Sequence, residues 1–168
     1  PAHAPRRAPD RIRSDAEALA AARRVAQAIA PGAVRRDRDR LLPWDELDAF
    51  LASGLWAITV PQAYGGAGVS AGTVAEVTAL ISEADPSLGQ IPQNHFAVLQ
   101  NLRDMGSEPQ KRRWFADVLA GHRLGNAGPE RKGRAAHVLE ATARLSRDAD
   151  GGLRVSGTRF YSTGSAFA

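Results

Sequence analysis

The 168-residue sequence has no cysteine, a single methionine, two lysines and few aromatic residues (6%). Without cysteine there is no disulfide scaffold, no thiolate nucleophile, no C-x-x-C redox pair and no cysteine-ligated zinc site. Long apolar runs are missing as well. The stretch over residues 55–60, broken only by Thr59, stops at Pro61. That is too short for a helix that crosses a bilayer, and no apolar signal core follows the basic start. These absences point to a reducing compartment, the cytoplasm in the simplest case, and to no membrane partner. The four histidines, His3, His95, His122 and His137, stand at no metal-ligand spacing, so no metal site is expected. There is no G-x-S-x-G elbow and no G-x-x-x-x-G-K-[ST] loop, which leaves the common serine-hydrolase and P-loop readings without support.

What is present is a globular composition, 43% hydrophobic and 24% charged, at a length that fits one domain or one domain plus the beginning of another. The net charge of +4 would suit a nucleic-acid partner if it were spread over the body of the protein. It is not. Residues 1–40 hold ten arginines against five acids, whereas residues 41–168 hold twelve basic and thirteen acidic residues. The excess sits in an N-terminal arm without aromatics to stack on bases, so a solvated tail is the favoured reading and nucleic acid is not an expected partner.

The first thirteen residues, PAHAPRRAPDRIR, hold three prolines and four arginines and read as a mobile basic lead-in. Ser14-Asp15-Ala16-Glu17 is a capping box, with Ser14 accepting from the Glu17 N–H and Glu17 reaching back to the Ser14 N–H. Leu19, Ala22, Val25, Ala26 and Ile29 follow on one helical face. Pro31-Gly32 ends or kinks this helix, and a short charged helix covers residues 34–40. Pro43 opens another, with Leu47, Phe50 and Leu51 as its stripe and Gly54 just past its end. Residues 55–60 read as an extended or buried connector into the loop Tyr64-Gly65-Gly66-Ala67-Gly68. Ser70 caps a helix that runs to Ala84, a further helix spans Pro86 to Gly106, and Ser107-Glu108-Pro109-Gln110 opens one closed by Gly121. From Leu124 the residues favour strands and turns: 124–128, 138–147, a hairpin loop at Asp148-Ala149-Asp150-Gly151-Gly152, 153–156, and a last strand from near Ser165. The expected fold class is α+β: a basic arm over 1–13, a helical domain over 14–121, and an incomplete β-domain over 122–168. So few strands cannot close a sheet without open edges, and a piece of a longer protein is expected.

Gly66-Ala67-Gly68-Val69-Ser70-Ala71 matches G-x-G-x-x-A, with Asp85 nineteen residues after the first glycine. A dinucleotide site needs that glycine directly after a strand and the acid at the end of a second parallel strand. Here residues 61–65 intervene and Asp85 closes a helical pattern, so a glycine loop before a helix is the better reading. Two other segments hold more chemistry. Gln90-Ile91-Pro92-Gln93-Asn94-His95-Phe96 places Gln, Asn and His on a core-forming helix, where they need partners, a cavity or water. Arg159-Phe160-Tyr161-Ser162-Thr163-Gly164 brings an aromatic and two hydroxyls to a glycine just after a strand, a pattern that a β-turn explains without function.

Taken in order, a set of landmarks resembles the N-terminal half of the acyl-CoA dehydrogenase superfamily. They are Gly54-Leu55-Trp56 leading to Val60-Pro61-Gln62-Ala63-Tyr64-Gly65-Gly66-Ala67-Gly68, Gly106-Ser107-Glu108-Pro109-Gln110-Lys111 before the Trp114 helix, Leu119-Ala120-Gly121, and Val155-Ser156-Gly157-Thr158 running into the 159–164 segment. The resemblance covers nearly the whole chain after residue 14. It implies a helical domain, then the first strands of a β-barrel domain, then a C-terminal helical bundle that is absent here. The chain looks closest to the flavin-dependent monooxygenase branch of dibenzothiophene monooxygenases and sulfur-acquisition oxidoreductases. The residues that carry this are Ile91-Pro92-Gln93-Asn94-His95-Phe96, Gly125-Asn126-Ala127 and Tyr161-Ser162-Thr163-Gly164. Acyl-CoA dehydrogenases usually carry T-E-P-x-x-G-S-D at the second place and W-I-T-N at the third. Here the second reads Asn126-Ala127-Gly128-Pro129-Glu130-Arg131, with Glu130 as the clear match. That departure puts CoA thioester binding and the usual flavin hydroxyl contact there in question.

The resemblance implies a flavin cofactor, FMN or FAD. Asn126, with Gly128 and Glu130 beside it, would line the flavin ring and its pyrimidine edge. Tyr161 would pack against the isoalloxazine, with Ser162 and Thr163 near N5 and O4, where a donor meets developing negative charge. His95 would face the cavity as a catalytic residue and help stabilise the oxygen adduct of the flavin. The base or second histidine of the superfamily lies in the C-terminal domain, so this segment alone is not expected to catalyse. The implied activity is oxygenation of a small organosulfur compound by reduced flavin and O2, with a flavin reductase as partner and a homotetramer as the assembly. One alternative is FAD-dependent α,β-desaturation of an acyl-CoA. Another, of a different class, is a non-catalytic helical interaction module.

Overall fold

The computed structural model describes residues 9–130 and 143–167. Within them lie α1 (Asp15–Ile29), α2 (Ala33–Asp39), α3 (Trp44–Ala52), α4 (Ala71–Ala84), α5 (Pro86–Met105) and α6 (Glu108–Leu119), followed by strands β1 (Arg144–Arg147) and β2 (Leu153–Ser156). A helical segment thus precedes a β-segment. The described residues up to Gly125, joined by 164–167, form one unit, and those within Asn126–Thr163 form a second.

Side chains satisfy the backbone donors that helix starts leave open. Ser14 Oγ accepts from the Glu17 N–H at 3.2 Å. The Glu17 carboxylate reaches back one residue further than a capping box would, accepting from the Arg13 N–H at 2.8 Å. Ser70 Oγ accepts from the Thr73 N–H at 3.2 Å. Asp15 Oδ2 accepts in turn from Ser70 Oγ at 2.8 Å and Thr73 Oγ1 at 2.7 Å, tying the first turn of α1 to that of α4. Gln110 Oε1 accepts from the Ser107 N–H at 2.8 Å at the start of α6.

In the helical unit, α1 buries Ala18, Ala21, Ala22, Val25 and Ile29 against an α4 face that carries Val77 and Ile81. Three alanines in that stripe let the two helices approach closely. α4 and α5 also meet closely, because a Cβ on Gly89 would run into the side chain and Cα of Ser82. α5 serves two cores: Leu88 and Phe96 pack with Leu47, Phe50, Leu55 and Trp56, whereas Leu99 packs with Val60, Phe115 and Val118.

The α2 charges are not a solvated face throughout. Arg36 is nearly buried and holds Asp85 Oδ2 through Nε at 2.9 Å and Nη2 at 2.8 Å, Glu46 Oε1 at 2.6 Å and the Ile29 carbonyl at 2.6 Å. Asp85 uses its other oxygen to cap α5, accepting from the Ser87 N–H at 3.0 Å. The acid of the G-x-G-x-x-A pattern is therefore a helix cap and an ion-pair partner. The glycine loop follows helical turns, Leu55–Ala57 and Gln62–Tyr64, not a strand, and a Cβ on Gly66 would strike the Val60 carbonyl.

In the second unit, β1 and β2 pair antiparallel with Arg144 opposite Ser156 and Arg147 opposite Leu153, and the Asp148 N–H donates to the Gly152 carbonyl at 2.8 Å across the turn. Two expectations need correction, and two others fall only partly within the described residues. Residues 124–128 form no strand; they run on in irregular backbone. Of the strand expected over 138–147, residues 138–142 lie outside the described residues and the ladder begins at Arg144. The strand expected near Ser165 is a single helical turn, Ser165–Phe167. Tertiary partners override the local pattern there: the Phe167 ring meets Trp44 edge-on at 4.8 Å, and Arg123 Nη2 donates to its carbonyl at 2.6 Å. The lead-in is held down where it is described, with the Asp10 N–H donating to the Ala52 carbonyl at 2.9 Å and Ile12 packed on the core.

Candidate functional site

The third turn of α5 carries His95 into the interior, where it is 1% exposed. Nε2 lies 2.8 Å from the Trp56 carbonyl oxygen and the Leu124 N–H donates to Nδ1 at 3.0 Å. An amide can only donate, so Nδ1 is the acceptor, the proton sits on Nε2, and the ring is neutral. Burial pushes the His95 pKa from 6.5 to about 4, the Trp56 carbonyl opposing and the charge of Arg123 assisting. Trp56 and Phe96 flank the ring at 5.0 and 5.7 Å, and Arg123 lies over the Trp56 ring at 5.8 Å. The polar group expected to face a cavity has its needs met by backbone.

The second unit brings two distant stretches together. The Ser162 hydroxyl donates to the Asn126 carbonyl at 2.6 Å, and the Phe160 N–H donates to the Pro129 carbonyl at 2.9 Å. Residues 126–130 and 159–162 therefore run alongside each other in opposite directions. Arg159 clasps them: its guanidinium donates to the Gly128 carbonyl and pairs with Glu130 Oε1 at 2.9 Å, the Glu130 side chain being 6% exposed. Glu130 also accepts from the Ala143 N–H at 3.1 Å. Tyr161 is the outlier in this stretch. Its φ of 54° is left-handed and its side chain is 89% exposed, a conformation that costs a non-glycine residue about 1 kcal/mol or more and tends to occur where function demands it. Thr163 is half-buried next in the chain.

Of the expected site residues, Asn126, Gly128, Glu130 and Ser162 are thus linked through one set of bonds, with Tyr161 between Phe160 and Ser162. Arg159 was not expected among them. Its signal was available, an arginine set in an otherwise uncharged turn with a glutamate upstream, but pairing the two needs the fold.

A cavity of about 770 Å³ opens in the helical unit beside α2 and the start of α5, lined by Leu41, Leu42, Pro43, Ile91 and Phe167, with Arg36 and Asp85 also on its wall. Its size falls in the range of small-molecule sites. Among the described residues no group of three or more His, Asp or Glu could hold a metal ion, and no helix is long and apolar enough to cross a membrane.

Comparison with known proteins gives a consistent picture. Residues 14–122 match the model of the acyl-CoA dehydrogenase N-terminal domain. Dibenzothiophene monooxygenase from Rhodococcus erythropolis is 32% identical over 152 residues, which covers 90% of this chain and 36% of that protein. A 3-sulfinopropanoyl-CoA desulfinase from Cupriavidus necator is 30% identical over 145 residues, 85% of this chain and 36% of the relative. The crystal structure of FMN-bound TdsC from Paenibacillus sp. A11-2 superposes with a TM-score of 0.78 at 34% identity, covering 90% of this chain and 37% of that one. The chain spans about a third of the length of these relatives.

Proposed function

The chain belongs to the acyl-CoA dehydrogenase family, and on that premise we propose that the protein it represents is a flavin-dependent monooxygenase that oxygenates a small organosulfur compound. FMN is the proposed cofactor. The observation that carries the reading is the clasp between residues 126–130 and 159–162, taken with relatives about a third identical to this chain over the aligned residues, one of them FMN-bound.

The residues present fit a flat, acceptor-rich cofactor. Tyr161 offers an exposed aromatic face on a constrained backbone, and Gly128 borders open space, since a Cβ there would meet no atom within 4 Å. Bound reduced flavin would supply the electrons that activate O2, one oxygen atom going to the substrate sulfur and the other leaving as water. Ser162 commits its proton to the Asn126 carbonyl, so its part is to brace the Asn126 segment, and the Thr163 hydroxyl is the donor left to the turn. Arg159 pairs with Glu130 while holding the Gly128 carbonyl. The reading also carries a cytoplasmic location, a separate flavin reductase as partner and a homotetramer as the assembly.

The test is oxygen uptake by the intact protein with FMN, a flavin reductase and dibenzothiophene, together with detection of the sulfoxide. A second reading, FAD-dependent chemistry on an acyl-CoA, is favoured by the similarity to a CoA-thioester desulfinase. Bleaching of bound FAD by an acyl-CoA, without reductase-dependent oxygen uptake, would establish it in place of the first.

A further inference from the structure

We propose that His95 is a positioning residue, a neutral imidazole locked between the Trp56 carbonyl and the Leu124 amide that fixes where the chain leaves the helical unit, two residues before Asn126. Its consequence for catalysis rests on the reading above, but the tether itself does not.

The argument starts from bond polarity. The Leu124 N–H points at Nδ1 at 3.0 Å and a carbonyl oxygen lies 2.8 Å from Nε2. One nitrogen must accept and the other must donate, so a single tautomer satisfies both partners. The ring is 1% exposed and edged by Trp56 and Phe96, which leaves it no position from which to exchange a proton with a substrate or cofactor. Adding a proton would set Nδ1–H against the Leu124 N–H and break the bond. Nearby charge opposes that protonation. Arg123, from the stretch after α6, is the cation that bears on the ring, and Asp48 of α3 bears on Arg123 in turn. The neighbouring rings of Trp56 and Phe96 carry no charge. Leu124 then runs on through Gly125 to Asn126, the first residue of the segment that Ser162 and Arg159 clasp.

The proposal is tested in the intact protein by three measurements: the tautomer of His95 from nitrogen NMR, hydrogen exchange of the Leu124 amide, and FMN-dependent oxygenation. The wild-type ring is expected to be neutral with its proton on Nε2 at pH 7. His95→Ala is expected to raise Leu124 exchange at least tenfold and to lower oxygenation. His95→Gln keeps one donor and one acceptor but cannot shuttle a proton, and it is expected to recover most of both. The proposal is overturned if His95→Gln oxygenates as poorly as His95→Ala while Leu124 stays protected, since the ring would then act by proton transfer. It is equally overturned if His95→Ala leaves Leu124 exchange unchanged. Should His95→Ala fail to fold, the wild-type tautomer and His95→Gln decide alone, a charged or Nδ1-protonated ring counting against the tether. Failure to oxygenate any sulfide refutes the proposed activity, whereas the exchange and tautomer results still judge His95.

Discussion

The Ser162 hydroxyl donates to the Asn126 carbonyl at 2.6 Å, joining two residues thirty-six positions apart. A serine that spends its proton on a carbonyl has none for a cofactor edge, so its contribution is to hold the Asn126 backbone in place. Phe160 to Pro129 and Arg159 to Gly128 repeat the arrangement along the same pair of segments.

Ser162→Ala should therefore weaken FMN binding without abolishing it. A net hydrogen bond contributes about 1 kcal/mol, which corresponds to roughly a fivefold rise in the FMN dissociation constant. Fluorescence titration of the intact protein measures it. An unchanged affinity would detach this bond from the cofactor site.

Arg36 should be the most sensitive charged residue in the helical unit. Its removal strands Asp85, 4% exposed, and Glu46 beside it. Breaking a buried pair by deleting one partner costs about 3–5 kcal/mol, so Arg36→Met should lower unfolding stability by that order in urea denaturation. Adding Asp85→Asn removes the stranded charge and keeps a cap for α5, because Asn caps about as well as Asp. The double variant should be more stable than Arg36→Met alone.

The α4–α5 contact should resist even one added carbon. In Gly89→Ala the new Cβ meets the Ser82 side chain and backbone, and overpacking of this kind costs about 1–3 kcal/mol. Ser82→Gly in the same chain should recover part of the loss, as judged by thermal unfolding.

The helix starts were legible because each is written within four residues. Ser14 and Ser70 do cap where the pattern places them, and the hairpin turn lies at the Asp/Gly cluster. The family, too, was legible in the order of its landmarks. What escaped depends on partners far apart in sequence. Arg36 reads as a surface charge until Asp85 arrives from 49 residues away. Phe167 reads as strand until Trp44 and Arg123 turn it inward. His95 carries no local sign that Trp56 and Leu124 will occupy both nitrogens. The pairing of Arg159 with Glu130 is hidden for the same reason.

His95 should couple stability to pH in a defined window. Burial lowers its folded pKa to about 4, while the unfolded chain takes up the proton near the ordinary value of about 6.5. Between those values the unfolded state binds more protons, so stability falls as the solution is acidified. The contribution of the neutral ring is fully present above about pH 6.5 and lost by about pH 4. At about 1.4 kcal/mol per pKa unit, the whole effect is on the order of 3 kcal/mol. Carboxylates titrate in the lower part of the same range, so the measurement is a difference: urea unfolding of wild type and His95→Gln at pH 7.5 and pH 4.5. The wild type should lose about 2–3 kcal/mol more than the variant on going to the lower pH. A gap between the two proteins that stays constant with pH would mean that the ring is not held neutral in the folded state, and the tautomer assigned from the Leu124 amide would have to be given up.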